Sequence, residues 1–379
     1  MSSYLEALRT ACRPVLVYGA GMRHADALAL KFAQLLGVPI LTTWAARDMM
    51  PESEPLNVGG FGTHALRHAN FAIQNADWIL SVGSRLDTKA TGPLESFAPH
   101  ARLWMVDVDA AEIAKFGRVT GIIQDAQEFL AAALEEAYAA PAMPSFLDWR
   151  RRIDGWKAKY APAIHKTGPG VDPYFVIKTL SRLTIDETIC ADIGTVLVYA
   201  AQAFEFTRQR MIYAWNQGPM GYGLPSAIAA ALATGRKVVY LAGDASMHMA
   251  MGEMATLAKL HLPVKTLIFN NRGHGLVRQT QRQWFGGDYQ STSVAGGLPD
   301  ANYVAIAQAY GFRAERCERN DDLEHFMAKL LVHDDPAFLE LVIPHEAESR
   351  PLCRFNAPLH DAEPLLPREV LAEIMATSA

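Results

Sequence analysis

Cysteine is scarce and scattered: Cys12, Cys190, Cys317 and Cys353 stand far apart in 379 residues, and no Cys-x-x-Cys pair occurs. That distribution argues for reduced thiols and against a zinc site. Long apolar runs are missing too, none approaching the ~20 residues that span a bilayer. The amino terminus, Met1-Ser2-Ser3-Tyr4-Leu5-Glu6, lacks the basic region and apolar stretch of a signal peptide. These absences predict a cytoplasmic location and no membrane partner. Positive charge is not in excess: 35 Lys and Arg against 40 Asp and Glu leave a net charge of −5. With the basic residues scattered, no electrostatic footprint for nucleic acid appears. There is no repeat of solenoid length. What remains is a chain that is half apolar, long enough for two ordinary domains rather than one core.

Both halves alternate short apolar runs with helical stretches. Val15-Leu16-Val17-Tyr18 leads into Gly19-Ala20-Gly21 and an Ala/Leu-rich stretch from Asp26 to Leu36. Trp78-Ile79-Leu80-Ser81-Val82 ends in Gly83-Ser84-Arg85, and Leu103-Trp104-Met105-Val106 in Asp107-Val108-Asp109. Strands that finish in Gly or Asp turns and alternate with helices predict an α/β protein built of two doubly wound parallel-sheet domains. The composition places the first at 1–140, an Ala/Pro-rich and then charged linker at 141–170, the second domain at 171–345 and a Pro-interrupted tail at 346–379.

In the second half, Val238-Val239-Tyr240-Leu241-Ala242 closes in Gly243-Asp244-Ala245-Ser246, and Thr266-Leu267-Ile268-Phe269 closes in Asn270-Asn271, which places Asp244 and Asn271 27 residues apart. The spacing suits two parallel strands joined by a crossover helix, with both oxygen ligands at the carboxyl ends. A hard cation such as Mg²⁺ takes oxygen donors and keeps room for phosphate, so the pair predicts a metal-diphosphate site faced by a helix N-terminus. The plainer alternative is an ordinary βαβ unit with a polar turn at each strand end.

Gly243-Asp244-Ala245-Ser246 with Asn271, preceded by Gly218-Pro219-Met220-Gly221-Tyr222-Gly223-Leu224-Pro225, resembles the signature of thiamine-diphosphate (ThDP) enzymes of the acetolactate-synthase-like family. The resemblance implies Asp244, Asn271 and the Gly273 carbonyl as metal ligands. Gly194 and Thr195 of Asp192-Ile193-Gly194-Thr195, with Gly243, Ala245 and Ser246, would contact the diphosphate. It gives Met220 the role of an apolar prop that bends the cofactor and Gly218 that of a carbonyl for its 4′-amino group. Met220 read alone is core packing, and Asp192 to Thr195 read alone is a strand-to-helix cap. His248, His261 and His274 fit no zinc spacing. His248 and His274 flank the cofactor loops, where a substrate contact competes with a plain polar role.

The first half is similar to the family's central domain from about Pro14 to Phe116. In relatives that domain holds flavin adenine dinucleotide (FAD), adenosine diphosphate or nothing. Gly19-Ala20-Gly21 and the acidic pair Asp107 and Asp109 are compatible with a dinucleotide, whereas Thr43-Trp44-Ala45-Ala46-Arg47 departs from the flavin-binding pattern. A full-length member carries a further domain with the glutamate that activates the pyrimidine. The expectation is therefore a large subunit whose smaller, pyrimidine-binding partner brings that Glu, in a hetero-oligomer built on a dimer or tetramer. Thr280 falls where acetolactate synthases carry tryptophan, which implies more room for the acceptor, with Gln279 beside it as a further substrate contact. The implied reaction is decarboxylation of a 2-oxo acid, pyruvate, and transfer of a two-carbon unit to a carbonyl acceptor. Alternatives are a keto-sugar acceptor in surface-sugar biosynthesis, and a non-catalytic regulatory or nucleotide-binding subunit.

Overall fold

The computed structural model describes residues 1–165 and 168–376, which divide into two compact units, 1–161 with 350–379, and 162–349. The first unit is built on six parallel strands: β1 (Pro14–Tyr18), β2 (Ile40–Thr42), β3 (Asn57–Gly60), β4 (Trp78–Val82), β5 (Arg102–Asp107) and β6 (Val119–Ile123), in the order β3-β2-β1-β4-β5-β6. In β1, Leu16 and Tyr18 pack on one face with Phe32, Trp78, Trp104 and Phe129. Val15 and Val17 pack on the other with Phe71, Ile79 and Trp149. A strand buried on both faces has no polar side to show, hence its unbroken apolar run.

The second unit repeats the plan with β7 (Thr188–Ala191), β8 (Arg210–Ile212), β9 (Val238–Gly243), β10 (Val264–Asn270), β11 (Arg313–Cys317) and β12 (Ala337–Val342), ordered β11-β12-β10-β9-β7-β8 and parallel throughout. The chain runs outward from β7 to β8 on one side and from β9 to β10 on the other. The gap between β7 and β9 is therefore the switch point, where open α/β sheets bind ligands at their carboxyl ends.

The boundaries differ from the sequence expectation. Residues 141–170 are not an extended linker: the helix Leu147–Lys159 buries Trp149, Ile153 and Trp156 in the core beneath Phe71, and the second unit begins at Pro162. The segment after 345 is not a loose tail either. From Arg350 onward it belongs to the first unit, with a two-stranded piece, β13 (Leu352–Cys353) and β14 (Ala362–Glu363), and the helix Arg368–Met375. Cys353, Leu359, Leu371 and Ile374 are buried there. Few apolar side chains, widely spaced among charged ones, anchor both segments, so average composition reads them as solvent-exposed.

Candidate active site

Three loops meet at the switch point of the second unit. Asp192 to Thr195 follow β7, Gly243 to Ser246 close β9, and Asn270 to Gly273 close β10, whose strands are hydrogen-bonded neighbours in the order β7-β9-β10. The helices Thr195–Ala203 and Gly275–Phe285 start from two of these loops, so their unpaired N–H groups face the same end, as an anion requires. Gly194 stands at φ 119°, a backbone conformation natural to glycine.

Asp244 is 6% exposed. Its Oδ2 accepts the Gly273 N–H at 2.9 Å, tying the β9 loop to the β10 loop, and its main-chain carbonyl accepts the Tyr303 hydroxyl at 3.2 Å. Burial pushes its carboxyl up to about 7, against the pull of the Ala245 and Gly273 N–H groups, as for an acid whose charge a cation would balance. Asn271 is also 6% exposed, and its carbonyl accepts Nδ1–H of His345 at 2.8 Å. A Cβ on Gly275 would come within 2.5 Å of Asn271 Nδ2 and 3.3 Å of Thr195 Oγ1. Gly275 is thus a cradle that seats the Asn271 amide and the Thr195 hydroxyl side by side. Any residue supplies the carbonyl wanted at 273, but a side chain there would strike the Thr292 carbonyl at 2.2 Å. Among the described residues no group of three His, Cys, Asp or Glu could hold a metal. The donor set here is one carboxylate, one amide and one main-chain carbonyl, which suits Mg²⁺ sharing its coordination with phosphate.

The Gly218-to-Gly223 turn adjoins these loops. Gly218 stands at φ 65°, where an added Cβ would lie 3.2 Å from the Ile193 side chain, and the helix Gly223–Thr234 follows. Met220 is half-buried. Ser246, 3% exposed, lies at the start of the helix Asp244–Ala250, with Ala245 half-buried beside it.

Residues 192–341 match the family model described as "Thiamine pyrophosphate enzyme, C-terminal TPP binding domain", and residues 1–133 match "Thiamine pyrophosphate enzyme, central domain". The chain belongs to the ThDP enzymes. Within them it falls in the acetolactate-synthase-like group. It is 32% identical over 346 residues to the acetolactate synthase large subunit of Parasynechococcus marenigrum, covering 90% of this chain and 56% of that protein. It is 33% identical over 353 residues to that of Corynebacterium glutamicum, with coverage of 90% and 56%. It is 30% identical over 364 residues to the probable acetolactate synthase 2, chloroplastic, of Oryza sativa, with coverage of 92% and 55%. The chain thus spans little more than half the length of these relatives.

As a ThDP enzyme the chain has further residues whose placement matters. Asn270, which the sequence reading passed over, shapes the loop after β10: its Nδ2 donates to Glu340 at 2.7 Å, and its Oδ1 accepts the N–H of Arg272, a residue at φ 57°. The doubled Asn was the available signal. Gln279 is only 1% exposed, its Nε2 donating to the Ser349 carbonyl at 2.7 Å and its Oε1 accepting the Ser349 hydroxyl at 3.0 Å. That amide is engaged within the fold by Ser349. Thr280 is half-buried on the helix Gly275–Phe285, its hydroxyl donating to Leu276 O at 3.1 Å. His248 lies against Tyr303 with ring centroids 5.4 Å apart, and its Nε2 is buried without a protein partner. His274 is half-buried. His261 precedes β10 and so lies at the opposite end of the sheet from the site.

In the first unit the dinucleotide pattern serves packing. The N–H groups of Gly19 and Gly21 donate to the carbonyls of Val82 and Gly83, and a Cβ on Gly19 would lie 2.3 Å from Gly83 O. Asp107 and Asp109 cap their own turn and the helix after it. The turn leaves neither of those N–H groups for a diphosphate. Among the described residues no helix is long and apolar enough to cross a membrane.

Proposed function

We propose that the second unit holds ThDP through Mg²⁺ bound by Asp244, Asn271 and the Gly273 carbonyl, with Gly194, Thr195, Gly243, Ala245 and Ser246 around the diphosphate. The assembled protein then decarboxylates a 2-oxo acid, pyruvate, and passes a two-carbon unit to a carbonyl acceptor. The observation that carries the reading is the convergence of Asp244, Asn271 and Thr195 at the carboxyl ends of neighbouring strands, with Gly275 kept small to seat two of them. When bound, ThDP supplies the nucleophilic carbon and the electron sink for decarboxylation. The chain's own residues position it. Asp244 and Asn271 anchor the charged end, and helix N-termini offset the remaining negative charge. The Gly218 carbonyl would accept the aminopyrimidine N–H, and Met220 would support the cofactor from its apolar side. The carboxyl group that activates the pyrimidine belongs to a counterpart, proposed as a separate, smaller subunit in a hetero-oligomer. Relatives named as acetolactate synthase large subunits support the carboligase reading.

Asp244→Ala removes the one charged ligand. Calorimetry on the assembled protein with Mg²⁺ should show ThDP affinity reduced by at least about tenfold, the scale of a lost hydrogen bond to a charged group. Unchanged affinity would remove Asp244 from the metal site.

A further inference from the structure

Asp192 is fully buried at the end of β7. Its main-chain N–H donates to Leu241 O at 2.9 Å, and its Oδ2 accepts the hydroxyl of Tyr240, a β9 residue, at 2.6 Å. The pair thus joins Tyr240 on β9 to the residue that directly follows the neighbouring strand β7. The third element they meet is the turn that carries Gly218 and Met220. A Cβ on Gly223 would come within 2.6 Å of the Tyr240 ring and 3.1 Å of Asp192 Oδ2, so the first residue of the helix Gly223–Thr234 rests directly on the pair. Burial pushes the Asp192 carboxyl above the ordinary carboxylate range, against the opposing pull of the Tyr240 hydroxyl and the N–H groups of Gly223, Gly221 and Tyr222. Its Oδ1 has no direct protein hydrogen bond, so its neighbours are the helix start and the Tyr240 hydroxyl. A buried carboxylate is costly unless it organises what surrounds it. Here what surrounds it is the segment that would shape the cofactor.

We infer that Asp192 and Tyr240 are positioning residues: a buried, hydrogen-bonded anchor that fixes the Gly218-to-Gly223 turn, and through it the Gly218 carbonyl and Met220, against the aminopyrimidine end of ThDP. The inference rests on the function proposed above and adds a division of labour to it. Asp244 and Asn271 grip the diphosphate, and Asp192 with Tyr240 sets the other end without touching the cofactor. Neither Asp192 nor Tyr240 reacts.

The test compares two probes on the assembled protein by calorimetry in the presence of Mg²⁺: ThDP, which occupies both ends of the site, and inorganic diphosphate, which occupies only the metal end. Asp192→Asn keeps the shape and replaces the carboxyl. It should weaken ThDP by about tenfold, the scale of a buried hydrogen-bonded anchor, and leave diphosphate affinity unchanged. Tyr240→Phe, which deletes one hydroxyl, should give the same selective loss at about threefold, and it decides the matter if Asp192→Asn fails to fold. Equal loss of both probes would mean a merely structural pair and would overturn the inference, as would no loss of either. Failure of the unaltered protein to bind either probe would instead strike the proposed function.

Discussion

His68 is 3% exposed on the helix Arg67–Asn75, and its Nε2–H donates to Val58 O at 2.9 Å. That bond fixes the neutral tautomer. Burial holds the ring's pKa down at about 4, against an ordinary 6.5. The folded state therefore binds fewer protons than the unfolded one between these values, so the stability this neutral ring retains is full above about 6.5 and is lost as pH falls toward 4. Linkage puts the loss at roughly 3 kcal/mol across that window. Chemical denaturation of the protein and of His68→Gln between pH 7 and 4 should show a shallower decline for the variant. Parallel curves would mean that His68 titrates normally in the fold. At this scale the sequence was uneven in what it disclosed. The placement of Asp244 and Asn271 at the ends of neighbouring strands was legible because an apolar run that closes in a polar turn marks a strand's carboxyl end. The bonds of Gln279 were not, because its partner Ser349 lies 70 residues away.

The helix Leu147–Lys159 shows how an element escapes a reading by composition. Its Trp149, Ile153 and Trp156 recur at helical spacing, yet three consecutive arginines and two lysines dilute the apolar signal. Ile153 is 1% exposed and lies in the core with Phe71 and Trp149. Ile153→Ala should cost roughly 2–5 kcal/mol of stability, the range for large-to-small changes in a packed core. A denaturant midpoint that does not move would return the segment to the status of a linker. Strands followed the same logic. β1, β4, β9 and β10 were legible because burial on both faces makes them continuous apolar runs, whereas β11, Arg313-Ala314-Glu315-Arg316-Cys317, is a charged edge strand and β3 ends in two glycines.

Across the whole molecule, the two parallel sheets were readable from the alternation of runs and turns, but the division between the units was not. Which core a segment joins depends on contacts distant in sequence, and residues 350–376 show no local sign that they belong with residues 1–161. The second unit also presents apolar side chains beside its proposed cofactor turn: Trp215 is 42% exposed, Tyr222 39% and Met249 63%, with Met249 Cβ only 3.0 Å from where a Cβ on Gly221 would stand. Apolar surface of this kind suits a partner. The purified chain alone should release no CO₂ from pyruvate in the presence of ThDP and Mg²⁺, and activity should appear on adding a pyrimidine-binding subunit. Turnover by the single chain would refute the need for that counterpart.

Because residues 350–376 complete the first unit, that unit is interrupted in the chain by the second. On the ribosome, residues 162–349 emerge whole before the closing strands and helix of the first unit exist. The second unit can therefore fold while the first still lacks Leu359, Leu371 and Ile374 from its core, although domains usually fold in order of emergence. Of these two units, the one begun earlier is the one completed later. During that interval it exposes the apolar face those three residues will cover, and this is when the nascent protein is most open to chaperones and to aggregation.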